Sequence, residues 1–456
     1  MVDIDFEKIG KFSKAGPRYT SYPTAVEFES SDEVKNEYLK ELRESEKPLS
    51  LYFHLPFCRS ACYFCGCNVV YTSKESKRER YIGYLEKELK LLSGNMETSR
   101  EVIQMHFGGG TPTFFSASEL ERIIKMIRKT FPNFSQNAEI SCEVDPRFLD
   151  ENQMKVLREG GFNRISFGVQ DFDKEVQEAV HRVQPYEIVK ESNDLARNSG
   201  ISSVNIDLIY GLPYQNLDKF KDTLEKSVSM SPERFAVFNY AHVPWLMKTM
   251  RKIDEHTLPE PAEKLKILKY TIDYLTSNGY KMVGMDHFAK ENDELFLAIE
   301  RGELHRNFQG YTTKGGATLL GIGLTSIGEG DGYYIQNFKE MRDYEEALDR
   351  GELPIFRGVK LSEDDKIRKY VIMELMSNFK FDIARFNKNF RVRFNDYFKK
   401  ELEELQVFVD GELLEISEKS IETTFTGGLI IRNIAMVFDA YMKKHVQSKK
   451  TFSKTV

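Results

Sequence analysis

Four of the five cysteines, Cys58, Cys62, Cys65 and Cys67, stand in one run, FCRSACYFCGCN (Phe57 to Asn68), and the fifth, Cys142, lies far downstream. Thiols this dense form a disulfide framework in a short secreted chain. A chain of 456 residues can bury a core without such staples, so a metal or redox centre is the better reading. Zinc favours two separated ligand pairs closing a tetrahedron, whereas here the gaps are three, two and one residues on a single loop. A cubane iron-sulfur cluster is larger, and a loop can circle it and present Cys58, Cys62 and Cys65 to three of its irons. That arrangement leaves one iron open and Cys67 unassigned. Spacing alone favours the cluster and keeps zinc, or packing and redox thiols, as alternatives.

A strand must deliver this loop, and the apolar run LSLYFHLPF (Leu49 to Phe57) reads as one. In it Tyr52 and His54 alternate with Leu51, Phe53 and Leu55, so the polar pair faces the interior while the apolar set packs against helices. Further β-rich runs recur at Val102 to Phe107, Ala138 to Val144, Asn163 to Val169, Ser203 to Ile209 and Phe235 to Tyr240. Amphipathic stretches separate them, for example Ser118 to Thr130, which opens with a Ser-x-x-Glu capping pattern. Six strand-helix units in series predict parallel strands with right-handed crossovers, and six are too few to close an eight-stranded barrel. The fold class is therefore α/β, an open partial (β/α)6 TIM-like barrel with its ligand groups at the carboxyl ends of the strands. The cysteine loop follows the first strand and Gly108-Gly109-Gly110-Thr111-Pro112 the second; Glu143 and Asp145 end the third and Gln170 the fourth. Asp207 lies in the fifth, and Ala241 follows the sixth. Each is weak alone, since a glycine triplet is more often a tight turn and a strand-end acid a helix cap. Their common rim is the informative part.

The stretch CRSACYFC matches the CxxxCxxC pattern of radical S-adenosylmethionine enzymes, with an aromatic residue, Phe64, before the third cysteine. YFHLPFC, HFGGGTPT, EVDPR, FGVQDF, NIDLIYGLP, GMDHFA and HRNFQGYTT narrow the likeness: the chain resembles the oxygen-independent coproporphyrinogen III oxidase family. The similarity runs from GPRYTSYPTA (Gly16 to Ala25) to TGGLIIRNIAM (Thr426 to Met436). The resemblance implies one [4Fe-4S] cluster held by Cys58, Cys62 and Cys65, and two S-adenosylmethionine molecules side by side. The matching contact positions are Tyr52, Phe64, Cys65, Gly66, Gly109, Gly110, Thr111, Glu143, Gln170, Arg182, Asp207, Ala241 and Ile327. On residue type alone Arg182, in VHRVQP, reads as a surface charge. Tyr52, His54 and Cys67 are candidate catalytic groups, although a buried, satisfied Tyr or His is the default in a strand. The implied reaction is oxidative decarboxylation of two propionates of coproporphyrinogen III to vinyls, giving protoporphyrinogen IX. Sulfonium cleavage needs a low-potential cluster, hence an electron donor such as flavodoxin. Four propionates need local positive charge, for which Arg18, His305 and Arg306 are candidates. A related haem carrier and a radical enzyme acting on another tetrapyrrole are the rival readings. The N-terminal arm and Cys67 count against the carrier.

Beyond Pro244 the pattern changes, with a helix within Thr257 to Gln309, a strand at Tyr280 to Met285, and Leu319 to Gly332 read as a glycine-punctuated loop. Ser362 to Asn378 and Phe394 to Leu405 read as helices, Leu413 to Thr424 as a hairpin, and Leu429 to Lys444 as a last helix. The expected divisions are an arm and lead-in helix (1–48), the barrel (49–245), a linker and substrate-side region (246–361) and a small, mainly helical C-terminal domain (362–456) covering part of the barrel mouth. The net charge of −6 offers no global basic field for nucleic acid. The Lys-rich runs Lys74 to Arg80 and Lys443 to Lys454 read as solvated faces. No apolar run of about 18 residues suggests a membrane span, and MVDIDFEKIG does not read as a signal peptide. The expectation is a monomer in a reducing cytoplasm.

Overall fold

The computed structural model describes residues 4–442. The Lys-rich tail and the end of the expected last helix lie outside them. The chain builds one sheet of twelve strands. In chain order these are β1 (Leu49–Leu55), β2 (Val102–Gly109), β3 (Phe134–Val144), β4 (Arg164–Gln170), β5 (Ser203–Tyr210), β6 (Arg234–Asn239), β7 (Tyr280–Val283), β8 (His287–Lys290), β9 (Thr318–Ile322), β10 (Ile327–Glu329), β11 (Tyr333–Asn337) and β12 (Ile355–Lys360). Their order in space is β12-β11-β10-β9-β1-β2-β3-β4-β5-β6-β8-β7. The six expected strands, β1 to β6, are parallel neighbours.

The sheet does not stop at that open barrel. β9 runs parallel beside β1, with Leu49 opposite Thr318, and antiparallel strands extend both edges. Reading Leu319 to Gly332 as a loop is therefore corrected, because β9 and β10 occupy half of it. Its glycines serve close packing: a Cβ on Gly321 would stand 2.5 Å from the Ile327 carbonyl oxygen, so the bare backbone lets the strand ends approach.

Alternation decides what each barrel strand shows to each side. Leu49, Leu51, Phe53 and Leu55 of β1 are fully buried in the core, as are Ile165 and Phe167 of β4 and Val204, Ile206 and Leu208 of β5. The alternate positions Tyr52, His54, Ser166, Gln170 and Asp207 are left to line the interior. The helix between β2 and β3, α1 (Ala117–Thr130), is capped by Ser116 with Glu119, two residues before the expected start at Ser118.

Two regions beyond the barrel depart from expectation. The C-terminal helix α2 (Glu363–Asn378) packs on the hairpin His305–Asn307/Gly310–Thr312 rather than over the mouth; Asn378 exchanges hydrogen bonds with Leu304 at 3.2 Å, and the Tyr311 hydroxyl donates to the Met376 carbonyl at 3.5 Å. The single helix expected from Leu429 is broken into Phe425–Leu429 and Ile431–Ala435, since Ile430 leaves helical geometry at φ −116°, ψ 24°. The break lets the Arg432 guanidinium donate to the backbone carbonyls of Pro17 and Gly16. That clamps the N-terminal arm, whose Tyr19 and Tyr22 are 1% and 0% exposed. The Tyr19 hydroxyl donates to Asp439 at 2.8 Å, and the Tyr22 hydroxyl accepts from the Ala440 N–H at 3.1 Å. No described helix is long and apolar enough to cross a membrane.

Candidate active site

β1 hands the chain to the cysteine loop, which is fastened at both ends. Phe57–Cys58 and Val70–Tyr71 pair as two short parallel strands. The Gly110 and Thr111 N–H groups donate to the Leu55 and Phe57 carbonyls, both at 2.9 Å. A Cβ on Gly110 would stand 2.6 Å from the Pro56 carbonyl carbon, and one on Gly109, at φ +109°, would meet His54 Nδ1 at 2.5 Å. Glycine is thus what lets the end of β2 close on the loop.

Cys58, Cys62 and Cys65 line one cavity of about 240 Å³ together with Phe64, Thr111 and Arg182. All five cysteines are free thiols, and Cys142 is buried in the core instead. Among the described residues no group of three or more His, Cys, Asp or Glu side chains converges as the ligands of a single ion do. The three thiols face one cavity, and their gaps of three and two residues on a single loop suit a cluster better than one zinc ion. The Thr111 hydroxyl lies 3.4 Å from Cys58 Sγ, Arg182 Nη1 donates toward Cys62 Sγ at 3.6 Å, and the Cys67 N–H donates to Cys65 Sγ at 3.4 Å. Burial pushes the Cys58 thiol up to about 12, a penalty that a bound cation would offset. Hydrogen bonding from Cys67 draws Cys65 down to about 7.

The walls are polar and specifically held. Arg182 is not a surface charge: it is 8% exposed, paired with Asp145 at 3.1 Å, and bonded to the Gly168 carbonyl at 2.6 Å. Glu143 accepts from the Gly109 N–H at 3.2 Å and pairs with His106 Nε2 at 3.3 Å. Burial pushes the Glu143 carboxyl up, but these partners hold it below its ordinary value. Asp207 accepts from Ser166 and Asn205, at 3.0 and 2.7 Å, yet burial and the neighbouring Glu143 charge raise it to about 6. His54 Nε2 faces the Asn68 carbonyl at 3.0 Å, so this nitrogen carries the proton and Nδ1 accepts from the Tyr52 hydroxyl at 3.1 Å. Burial lowers His54 to about 4, leaving it neutral and fully engaged. That is the satisfied-histidine arrangement rather than a free acid or base.

Beside the thiols opens a second cavity of about 810 Å³. Cys67, Gly109 and Glu143 line both spaces, and Tyr52, His54, Gly66 and Ile327 line the larger one. Phe308, Gln309, Gln336, Lys248 and Lys339 also line it; sequence reasoning named none of them as a site residue, although Phe308 and Gln309 fall in HRNFQGYTT. Lys248 and Lys339 carried no motif, and Gln336 sits on a strand that the sequence reading left unassigned. No described residue beyond Lys339 lines either cavity, so the C-terminal domain contributes no side chain to these two linings. Ala241 and Arg18 fall outside both linings. His305 and Arg306 line a separate cavity of about 470 Å³ against α2.

Residues 52–226 match the Radical SAM superfamily model, and residues 361–430 match the HemN C-terminal domain model. Oxygen-independent coproporphyrinogen III oxidase of Helicobacter pylori strain J99 is 55% identical over 100% of both chains. That of Escherichia coli K12 is 44% identical over 100% of this chain and 99% of its own. The solved structure of coproporphyrinogen III oxidase (HemN) from Escherichia coli, described as a radical SAM enzyme, matches with a TM-score of 0.92 at 43% identity, covering 96% of this chain and 99% of that one. With the thiol loop, the barrel and both domain models in agreement, and relatives 44% and 55% identical matching along its whole length, the chain belongs to the oxygen-independent coproporphyrinogen III oxidase family of the radical S-adenosylmethionine superfamily.

Proposed function

We propose that this enzyme oxidatively decarboxylates two propionate side chains of coproporphyrinogen III to vinyl groups, giving protoporphyrinogen IX in haem biosynthesis. The observation that carries this reading is the joining of the thiol-lined cavity to the larger one through Cys67, Gly109 and Glu143. A space of about 810 Å³ is of the size that takes a large organic ligand. When bound, the [4Fe-4S] cluster and S-adenosylmethionine supply hydrogen-atom abstraction. Each propionate carboxylate gives up one hydrogen atom, CO2 and one electron to become a vinyl, so an electron acceptor is required. The cluster itself needs a donor such as flavodoxin.

The chain's own groups set up this chemistry. Cys58, Cys62 and Cys65 are the three cluster ligands, and the Thr111 hydroxyl and Arg182 guanidinium stabilise negative charge on the sulfurs. Glu143, fixed by Gly109 and His106, presents a carboxylate to an ammonium or ribose hydroxyl. Tyr52, Gly66 and Ile327 face the larger space, while Phe64, Gly110, Thr111, Gln170, Arg182 and Asp207 face the thiol-lined one. That split of the contact set supports two S-adenosylmethionine molecules. Ala241, on the loop after β6, lines neither space. Tyr52 keeps its proton, since burial raises it well above the ordinary phenol value, and His54 acts through it as a positioning residue. Cys67 stands on the rim between the spaces and would not be among the residues that hold the cluster.

Anaerobically reconstituted protein supplied with coproporphyrinogen III, S-adenosylmethionine and a reductant should form protoporphyrinogen IX. Cleavage of S-adenosylmethionine without any vinyl product would overturn the proposal.

A further inference from the structure

Three arginines from three distant parts of the chain meet on the β6 side of the mouth. Val237 of β6 donates its N–H to the Asp286 carbonyl at 2.7 Å, which sets Asp286 and His287 beside the end of that strand. His287 bonds the Asp286 carboxylate at 2.7 Å, and its ring lies 5.1 Å from the Tyr311 ring. The Arg306 guanidinium covers the other part of Tyr311, 4.5 Å from its centroid. Arg432 reaches the same place from the C-terminal segment and, by holding the Pro17 and Gly16 carbonyls, fixes the arm one residue before Arg18.

This cluster is short of negative charge. One carboxylate, Asp286, faces these charges: burial alone would raise it, but His287 first, and then Arg306 and Arg18, hold it at about 2. Burial and the charges of Arg18 and Arg306 press Arg432 down to about 9. Nε and Nη1 of Arg306 are buried with no hydrogen-bond acceptor, and among the described residues no hydrogen bond or ion pair engages the exposed Arg18 guanidinium. Buried donors without acceptors, next to like charges, are costly unless a ligand supplies the missing anion. The acidic chain as a whole, at −6, does not account for such a concentration of positive charge.

We infer that Arg18, Arg306 and Arg432 form a carboxylate-binding site at the edge of the mouth, which holds propionates of the macrocycle away from the thiol-lined cavity. The inference rests on the substrate reading above. Guanidinium is suited to it because its planar fork grips a carboxylate through two N–H groups. Two of the four propionates survive the reaction, and a site that grips those two and does no chemistry on them would orient the reacting pair. The hairpin that carries Arg306 also carries Phe308 and Gln309 into the larger cavity, so one rigid element links the carboxylate grip to the reaction chamber. The clamp on the arm then has a purpose beyond packing, since it presents Arg18.

The test compares the reconstituted parent enzyme with Arg18→Ala, Arg306→Met and Arg306→Lys. Iron content and substrate-free cleavage of S-adenosylmethionine are measured on every sample. Arg18→Ala removes an exposed side chain that makes no hydrogen bond or ion pair among the described residues, so it keeps the test open should the buried substitution fold poorly. The expected result is a rise of tenfold or more in KM for coproporphyrinogen III in Arg18→Ala and Arg306→Met. It should come with a smaller change in kcat, a weaker dependence of KM on salt than in the parent, and partial recovery in Arg306→Lys. A KM within twofold of the parent in Arg18→Ala and in folded Arg306→Met, with unchanged salt dependence, overturns the site while leaving the enzyme's function standing. A parent enzyme that makes no vinyl product overturns both.

Discussion

The two joined cavities are built from the chain in opposite ways. The thiol-lined one takes its reactive groups from a single loop, Cys58 to Cys67, fastened to the ends of β1 and β2. The larger one collects Tyr52, Lys248, Gln309, Ile327, Gln336 and Lys339 from across the chain. The first needs a fixed ring of like ligands, and a short loop supplies it at low entropic cost. The second needs breadth and varied polarity, which only long-range packing supplies. Chemistry that is local in space can be local in sequence, whereas a chamber for a wide substrate cannot.

Breaking the local region should have the largest effect. Cys62→Ala removes a ligand that distant Cys142 cannot replace, so iron content, S-adenosylmethionine cleavage and vinyl formation should all fall to background; retained iron and cleavage would dissolve the distinction between the two regions. Cys67→Ser probes the boundary they share. It should keep a reducible four-iron cluster yet lose about 10²-fold in turnover, as a misplaced group beside the reacting centre does. Loss of the cluster would make Cys67 a ligand, and preserved turnover per folded molecule would reduce it to packing.

Smaller effects sharpen the contrast through stability. His54 is lowered to about 4 in the folded protein, so between that value and its ordinary 6.5 the unfolded chain binds more protons than the native one. This contribution is fully present above pH 6.5 and is lost as pH falls through about 4, amounting to about 3 kcal/mol at ~1.4 kcal/mol per pH unit. Denaturant titrations from pH 8 to pH 4 should show that loss in the parent and a flatter profile in His54→Gln; an equal slope in both would place the acid sensitivity elsewhere. Least costly should be Tyr19→Phe, which leaves Asp439 without its 2.8 Å donor and should lower stability by about 1–2 kcal/mol in the same titration. An unchanged midpoint would mean that the Arg432 and Tyr22 contacts hold the arm without help from the Tyr19 bond.

Legibility followed the same division. The six parallel strands, the cysteine loop, Glu143, Gln170 and Asp207 were readable because alternation and strand-end position are properties of short windows. Arg182 was not readable as a buried group, because its partner Asp145 is remote in sequence and nothing in VHRVQP announces it. The glycines of Leu319 to Gly332 suggested a loop, whereas Gly321 serves the close approach of β9 and β10. Lys339, Gln336 and Arg432 became visible only once β11 and the arm had been placed, whereas Arg18 and Arg306 were already candidates by charge. The apolar periodicity of α2 marked it as a packed helix without indicating that its partner would be the His305–Thr312 hairpin and not the mouth.

The central claim is that the two cavities work as one active site, with hydrogen passing from a macrocycle in the larger to a cofactor beside the thiols. Coproporphyrinogen III deuterated at the propionate carbon attached to the ring, turned over anaerobically by the reconstituted enzyme, tests this most directly by mass spectrometry of the 5′-deoxyadenosine formed. The account predicts deuterium in that product in step with vinyl formation; 5′-deoxyadenosine free of deuterium while vinyl groups accumulate would contradict it.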